Sequence, residues 1–160
     1  MKALVLYYSY SGNTGEVAQR IRKALDCDIA EIVPVEPYPE DFNAVVEQGK
    51  REIQSGYEPE IQPLRHDPAQ YDTIILGSPV WWYTFVPPVQ TVLSAVDWEG
   101  KAVYPFATHA GWLGKTLENI GKACGGAAPK PGLDVRFDAD RPLTPWTAVD
   151  QWTGRIKEGR

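Results

Sequence analysis

Cysteine, histidine and methionine are scarce in these 160 residues: two Cys, two His and one Met. With only His66 and His109, there is little material for a metal site or a Ser-His-Asp group, and no metal site or catalytic side chain is expected. Cys27 and Cys124 form no CxxC and have no histidine cluster nearby, so they read as two buried thiols in a reducing compartment. Long hydrophobic runs are missing as well. None approaches the roughly 20 residues of a membrane span. The run Ala3–Tyr8 is too short for a signal-peptide core, and polar Ser9–Thr14 follows it directly. The expectation is a cytoplasmic protein without a membrane partner. Positive charge is also in deficit. A net charge of -5 argues against a nucleic-acid binder. Between Asp26 and Asp72 only Lys50, Arg51 and Arg65 oppose the acidic residues. A solvated acidic face is the simpler reading of that stretch, and a docking surface for a basic partner is the other.

What is present is an alternation of strand-like and helix-like segments. Lys2–Tyr8 is apolar with little alternation, as expected of a central strand covered on both faces. Val17, Ala18, Ile21, Ala24 and Leu25 recur at helical spacing. Asp28–Val33 reads as a second strand, and Phe42, Val45, Val46 and Ile53 as a helix ending by Gly56. Tyr71–Gly77 is a third strand, and Pro87-Pro88 opens a helix carrying Val89, Val92, Leu93 and Val96. Lys101–Thr108, the helix with Leu117 and Ile120, a fifth strand at Leu133–Phe137 and a C-terminal helix with Val149, Trp152 and Ile156 complete the chain. About five β-α units without a linker predict one domain over 1–160, an α/β fold with a parallel sheet and helices on both faces.

In such a sheet, ligands bind beyond the carboxyl ends of the strands, where strand order reverses. Three loops fall there. The first, Ser9, Tyr10, Ser11, Gly12, Asn13 and Thr14, offers hydroxyls, an amide and a permissive glycine, and runs into a helix N-terminus. A single helix cap needs one such side chain; this many point to a phosphate held by neutral donors. The second loop brings Pro79, Val80, Trp81, Trp82 and Tyr83, and the third brings Thr108, His109, Ala110, Gly111, Trp112 and Gly114. Phosphate donors on one side and aromatics on the other describe a ligand with an anionic tail and a flat ring.

These motifs resemble those of the flavodoxin family. SYSGNT after the first strand is similar to its phosphate loop, and GSPVWW and PFATHAGWLG at the next two strand ends resemble a short-chain flavodoxin-like group, as does VEPYPEDFN before the second helix. The resemblance covers Lys2 to about Gly126 and implies a flavodoxin-like, five-stranded parallel sheet of order 2-1-3-4-5 that binds FMN. It implies that Ser9–Thr14 wrap the phosphate. Pro79, Val80, Trp81, Trp82 and Tyr83 would border the isoalloxazine ring, and Thr108, His109, Ala110, Gly111 and Gly114 would close its other side. The chain departs from the group at Ser11, where Thr is usual, at Tyr83, where a small residue is common, and in HAGWLG, which is one residue short and carries Trp112.

Rival readings fare less well. His109–Thr116 ends in GKT, yet His109 stands where a P-loop needs its first glycine, and the third strand ends in Gly77-Ser78 without an aspartate for magnesium. Gly77-Ser78-Pro79 lacks the frame of a nucleophile elbow. A low-molecular-weight phosphatase needs a cysteine in the first loop, which has none. The expected function is FMN-dependent electron transfer with a redox partner protein or a small electron acceptor. The alternatives are an NAD(P)H-dependent quinone or flavin reductase and a non-redox binding module on a degenerate flavodoxin fold. Few cations in the three loops, beside an acidic surface, lead to the expectation of a lowered flavin potential. Oligomeric state is not legible in the sequence.

Overall fold

The computed structural model describes all 160 residues, Pro129 by its backbone alone. Its central strand β1, Ala3–Tyr7, is buried at every position. Leu4 and Leu6 point to one face of the sheet and Ala3, Val5 and Tyr7 to the other, which is why the run shows no polar alternation. Helix α1, Asn13–Leu25, buries Thr14, Val17, Ala18, Ile21 and Leu25 along one stripe and turns its charges outward. Strand β2 is Asp28–Glu31. Helix α2, Phe42–Ser55, starts where Asp41 accepts from the Ala44 N–H at 2.9 Å and stops at left-handed Gly56.

Strand β3, Thr73–Pro79, runs two residues past Gly77, where the sequence pattern ended. It is followed by α3, Pro87–Ala95, with both prolines in its first turn, then β4, Ala102–His109, and α4, Thr116–Ala123. The last elements are β5, Ala128–Pro129; β6, Leu133–Asp138; β7, Arg141–Pro142; and α5, Trp146–Lys157.

The sheet order is β2-β1-β3-β4-β6-β7, with β5 also on β4. Every pairing is parallel except β6 with β7. The expected order 2-1-3-4-5 is therefore present, its fifth strand being β6 and its edge extended by a short antiparallel hairpin. That fifth position is shared. Strand β5 pairs Ala102 and Val103, and β6 pairs Phe106–His109. The break falls at Pro105, whose carbonyl faces Gly132 across the gap, 3.1 Å from the position a Gly132 side chain would take. A strand residue sends its N–H and C=O to the same side, so the missing proline N–H lies on the broken edge.

Two cores result. Helices α2, α3 and α4 cover the face with Leu4, Leu6, Ile74 and Leu76. Helices α1 and α5 cover Val5, Ile75, Phe106 and Val135. Gly77 lies opposite Phe106, and a Cβ there would sit 2.0 Å from the Phe106 ring, so the glycine makes room for that ring. Cys124 is buried, as expected, whereas Cys27 is only half-buried; burial raises both thiols, Cys27 to about 11 and Cys124 to about 12. Among the described residues no helix is long and apolar enough to cross a membrane.

Candidate functional site

The three loops picked out in the sequence meet beyond the carboxyl ends of β1, β3 and β4. From Ser9 to Thr14 no main-chain N–H finds an acceptor among the described residues. The next two N–H groups are satisfied, Gly15 by the Ser9 hydroxyl at 3.1 Å and Glu16 by the Gly12 carbonyl at 3.0 Å. Gly12, at φ 105, turns the chain into α1 in a conformation that an L side chain resists. A row of free donors ending in a helix N-terminus is an anion site.

The side chains of this loop have other tasks. Thr14 meets Thr108 hydroxyl to hydroxyl at 2.7 Å, and the Asn13 amide donates to the Ala139 carbonyl at 2.8 Å. Tyr10 donates to the Pro39 carbonyl. Asn13 and Thr14 therefore leave only their main-chain N–H groups free, and among the described residues of the loop Ser11 is the side chain left exposed without a protein partner.

The second loop is a two-residue turn. Trp81 and Thr84 exchange N–H···O bonds of 3.0 and 3.1 Å, and Trp82 and Tyr83 between them have φ 50 and 66. Two positive φ values define a turn that normally takes Asn-Gly, and each bulky residue in it costs about 1–2 kcal/mol. The surroundings hold it in place. The Trp82 indole N–H donates to the Val46 carbonyl of α2 at 2.9 Å, with the Lys50 ammonium 5.2 Å from its ring centre. The Tyr83 carbonyl accepts from Lys115 at 2.9 Å, and Asn119 donates to the Thr84 hydroxyl at 2.9 Å.

The adjacent tryptophans have separate roles. Trp81 packs inward, edge to face with Tyr38 at 4.9 Å, Tyr10 at 5.7 Å and Tyr8 at 6.0 Å. Gly49 of α2 lets it close in, since a Cβ there would be 3.3 Å from its ring. Trp82 lies on α2 and stays 40% exposed. The most exposed rings at the mouth are Tyr83 (56%) and Trp112 (68%), which meet edge to face at 5.4 Å.

The third loop is fixed by residues that sequence reading missed. His109 accepts the Gly111 N–H on Nδ1 at 3.0 Å, so its Nε2 carries the proton toward Asp134 of β6. Gly114, at φ 60, lies against Tyr83 so closely that a Cβ would be 2.5 Å from its carbonyl oxygen. The Arg136 guanidinium stands 3.6 Å from where a Gly111 side chain would be, which brings one cation to loops that have few. Asp134 and Arg136 alternate along an edge strand as ordinary surface residues do, and only the β4–β6 register, with Arg136 beside His109, places them here. Ala110 is exposed, and Pro79 and Val80 are half-buried at the end of β3, where the Val80 N–H bonds the Thr108 carbonyl.

The flavodoxin family model matches residues 2–150 of the chain. Among solved structures, a candidate flavoprotein from Bacteroides eggerthii is 25% identical, with 98% of each chain covered and a TM-score of 0.81. A flavoprotein from Lactobacillus acidophilus, crystallised in complex with FMN, is 29% identical over 83% of this chain and 92% of its own, with a TM-score of 0.74. Oxidised flavodoxin 2 from Bacillus cereus shares the fold at 20% identity, with both chains fully covered and a TM-score of 0.63. No curated protein sequence matches the chain.

Proposed function

The chain belongs to the flavodoxin family, and from that premise we propose that it binds FMN non-covalently and passes electrons between a reduced donor and a partner protein or small acceptor. The observation that carries this is the run of unpaired main-chain N–H groups from Ser9 to Thr14 at the start of α1. It suits a phosphate monoester, and no lysine or arginine in that loop competes for the role. The aromatic turn and the loop after β4 lie beside it, and their exposed rings, Tyr83 and Trp112, would suit a flat aromatic ring such as that of FMN.

Bound FMN supplies the redox chemistry, and the protein sets its orientation and potential. The amides of Ser9–Thr14 anchor the tail. Trp81 and its three tyrosines make the ring wall rigid, because the loop cannot move without opening the core. Tyr83 and Trp112 present aromatic surface at the mouth and exclude water. The Arg136 guanidinium near Gly111 would offer positive charge to a flavin held beside that glycine and would oppose the lowering of potential expected from cation-poor loops.

The carrier role is favoured over the reductase because no element beyond the five β-α units and the β6–β7 hairpin is present to form a second nucleotide site at the mouth. The experiment is a titration of apo-protein with FMN and riboflavin, followed by steady-state NAD(P)H oxidation with quinone. We expect FMN to bind at least about tenfold tighter than riboflavin, the phosphate contributing 1.4 kcal/mol or more, and no NAD(P)H turnover. Equal affinities defeat the anion-loop assignment. Rapid quinone-dependent NAD(P)H oxidation assigns the chain to the reductases instead.

A further inference from the structure

One tyrosine of the group around Trp81 carries a hydroxyl that the site described above does not use. Tyr8, directly after β1, is only 5% exposed, and its hydroxyl makes no hydrogen bond, whereas Tyr10 donates to Pro39 and Tyr38 donates to the Glu52 carboxylate at 2.5 Å. Among the described residues no buried side-chain polar atom is sealed off without a partner, so the Tyr8 hydroxyl opens onto the cavity that Tyr8 lines. That cavity has a volume of about 430 Å³ and lies on the β2 side of β1, between Ser9-Tyr10 and the connector that leads to α2.

The walls define what fits. Tyr8, Tyr10 and Tyr38 contribute aromatic rings, Glu31 and Glu40 contribute carboxylates, and no Lys, Arg or His lines the space. Neither glutamate takes part in an ion pair or side-chain hydrogen bond among the described residues. Ionised carboxylates only accept, so a ligand here must donate. Two unopposed negative charges exclude an anion and favour a cation, which aromatic faces also attract. Burial, with Tyr10, Glu31 and Glu52 adding to it, raises the Tyr8 phenol and keeps it a neutral hydroxyl. The volume lies in the small-molecule range and exceeds what an ammonium head alone would fill, and Ile32, Val33 and Pro34 supply an apolar side for a carbon body.

We propose that this cavity is a binding site for a small organic cation, an alkyl- or arylalkylammonium whose N–H groups bond the Tyr8 hydroxyl and face Glu31 and Glu40. The site borders the anion loop at Ser9 and Tyr10, extends from there toward β2 and the connector before α2, and does not require FMN to be bound.

The test uses ¹⁵N-labelled apo-protein titrated with phenethylammonium chloride, phenethyl alcohol and 3-phenylpropionate. Phenethylammonium should give saturable shifts at the Ser9, Tyr10 and Val33 amides. The alcohol should bind about tenfold more weakly and the carboxylate not at all. Tyr8→Phe, which keeps the ring, should weaken the ammonium about fivefold. Glu31→Gln with Glu40→Gln should weaken it similarly and remove its salt dependence. Absence of saturable shifts, equal binding of the alcohol, or unchanged affinity in either variant overturns the proposal. Because the FMN titration is a separate measurement, failure of one reading does not disguise failure of the other.

Discussion

Thr14 and Thr108 stand 94 residues apart in sequence, and their hydroxyl oxygens lie 2.7 Å apart in the core. Both side chains are almost fully buried. One belongs to the first turn of α1 and the other to the end of β4, so this hydrogen bond ties the loop after β1 to the loop after β4. Neighbouring β3 supplies the aromatic turn between them, and the Val80 N–H bonds the Thr108 carbonyl at 3.0 Å. The three loops are thereby tied to one another by hydrogen bonds.

Thr14→Val keeps the shape and leaves the Thr108 hydroxyl buried without a partner. We expect it to cost about 1–3 kcal/mol, with Thr14→Val plus Thr108→Val costing less than the sum of the single changes. Urea unfolding of the three variants measures this. Additive losses would mean that the two hydroxyls act independently.

The strained turn yields a second expectation, in which stability and function part. Tyr83→Gly replaces a left-handed aromatic with the residue that best tolerates φ 66. About 1–2 kcal/mol of backbone strain is relieved, partly offset by loss of the edge-to-face contact with Trp112. Apo-protein melting should therefore hold level or rise, while FMN affinity falls about two- to tenfold as an aromatic contact disappears. A variant that binds FMN as tightly as the parent would show that Tyr83 does not meet the ring.

The strands and the three loops were legible because each is signalled locally. Buried runs mark β1 and β3, a helical stripe marks α1, and Gly12 and Pro87 mark the turns into helices. The loops could then be placed together, because in a parallel sheet they follow the carboxyl ends of neighbouring strands. Strand β7 carries no such signal. It is two residues long, yet the hairpin it forms with β6 delivers the Ala139 carbonyl to Asn13. Asp134 and Arg136 were missed for a related reason: a charge on an exposed strand position reads the same whether it faces solvent or a neighbouring loop. The split of the fifth strand depends on Pro105, whose meaning changes with the strand beside it. The adjacent tryptophans belong to a third kind, since their number was plain and their directions were not. Two consecutive positive φ values at Trp82 and Tyr83 set those directions, and a Trp-Tyr pair gives no hint of them.

Trp81 and Trp82 should accordingly differ under mutation. Trp81→Ala empties the centre of the Tyr8, Tyr10 and Tyr38 group, and a loss of about 3 kcal/mol is expected, the low end for a core tryptophan because Trp81 keeps some exposure. Trp82→Phe retains a ring for Lys50 and loses one hydrogen bond to Val46, a cost of about 0.5–1.5 kcal/mol. Denaturant midpoints compare the two. Should Trp82→Phe prove the more damaging, the inward role belongs to the wrong residue.

The last expectation concerns pH. The Tyr71 hydroxyl donates to the Asp28 carboxylate at 2.5 Å, joining the end of the connector before β3 to the start of β2. This bond, helped by His66, Lys2 and Arg22, holds the Asp28 carboxyl below its ordinary range. It also raises the Tyr71 phenol to about 12, with burial and the Asp28 charge adding to the effect. A lowered carboxyl stabilises the fold above its unfolded pKa, near 3.9, and that contribution fades as pH falls through the folded value. A raised phenol stabilises the fold below its unfolded pKa, near 10, and the contribution is lost as pH climbs through the folded value. The pair should therefore support the protein throughout the neutral range and fail at both ends. Tyr71→Phe ought to lower stability at pH 7, flatten its dependence on pH below about 4, and flatten it again between about 10 and about 12. Urea midpoints recorded from pH 3 to pH 12 for both proteins decide the matter. Parallel curves would show that Asp28 keeps its low pKa through Lys2, Arg22 and His66 rather than through the Tyr71 hydroxyl.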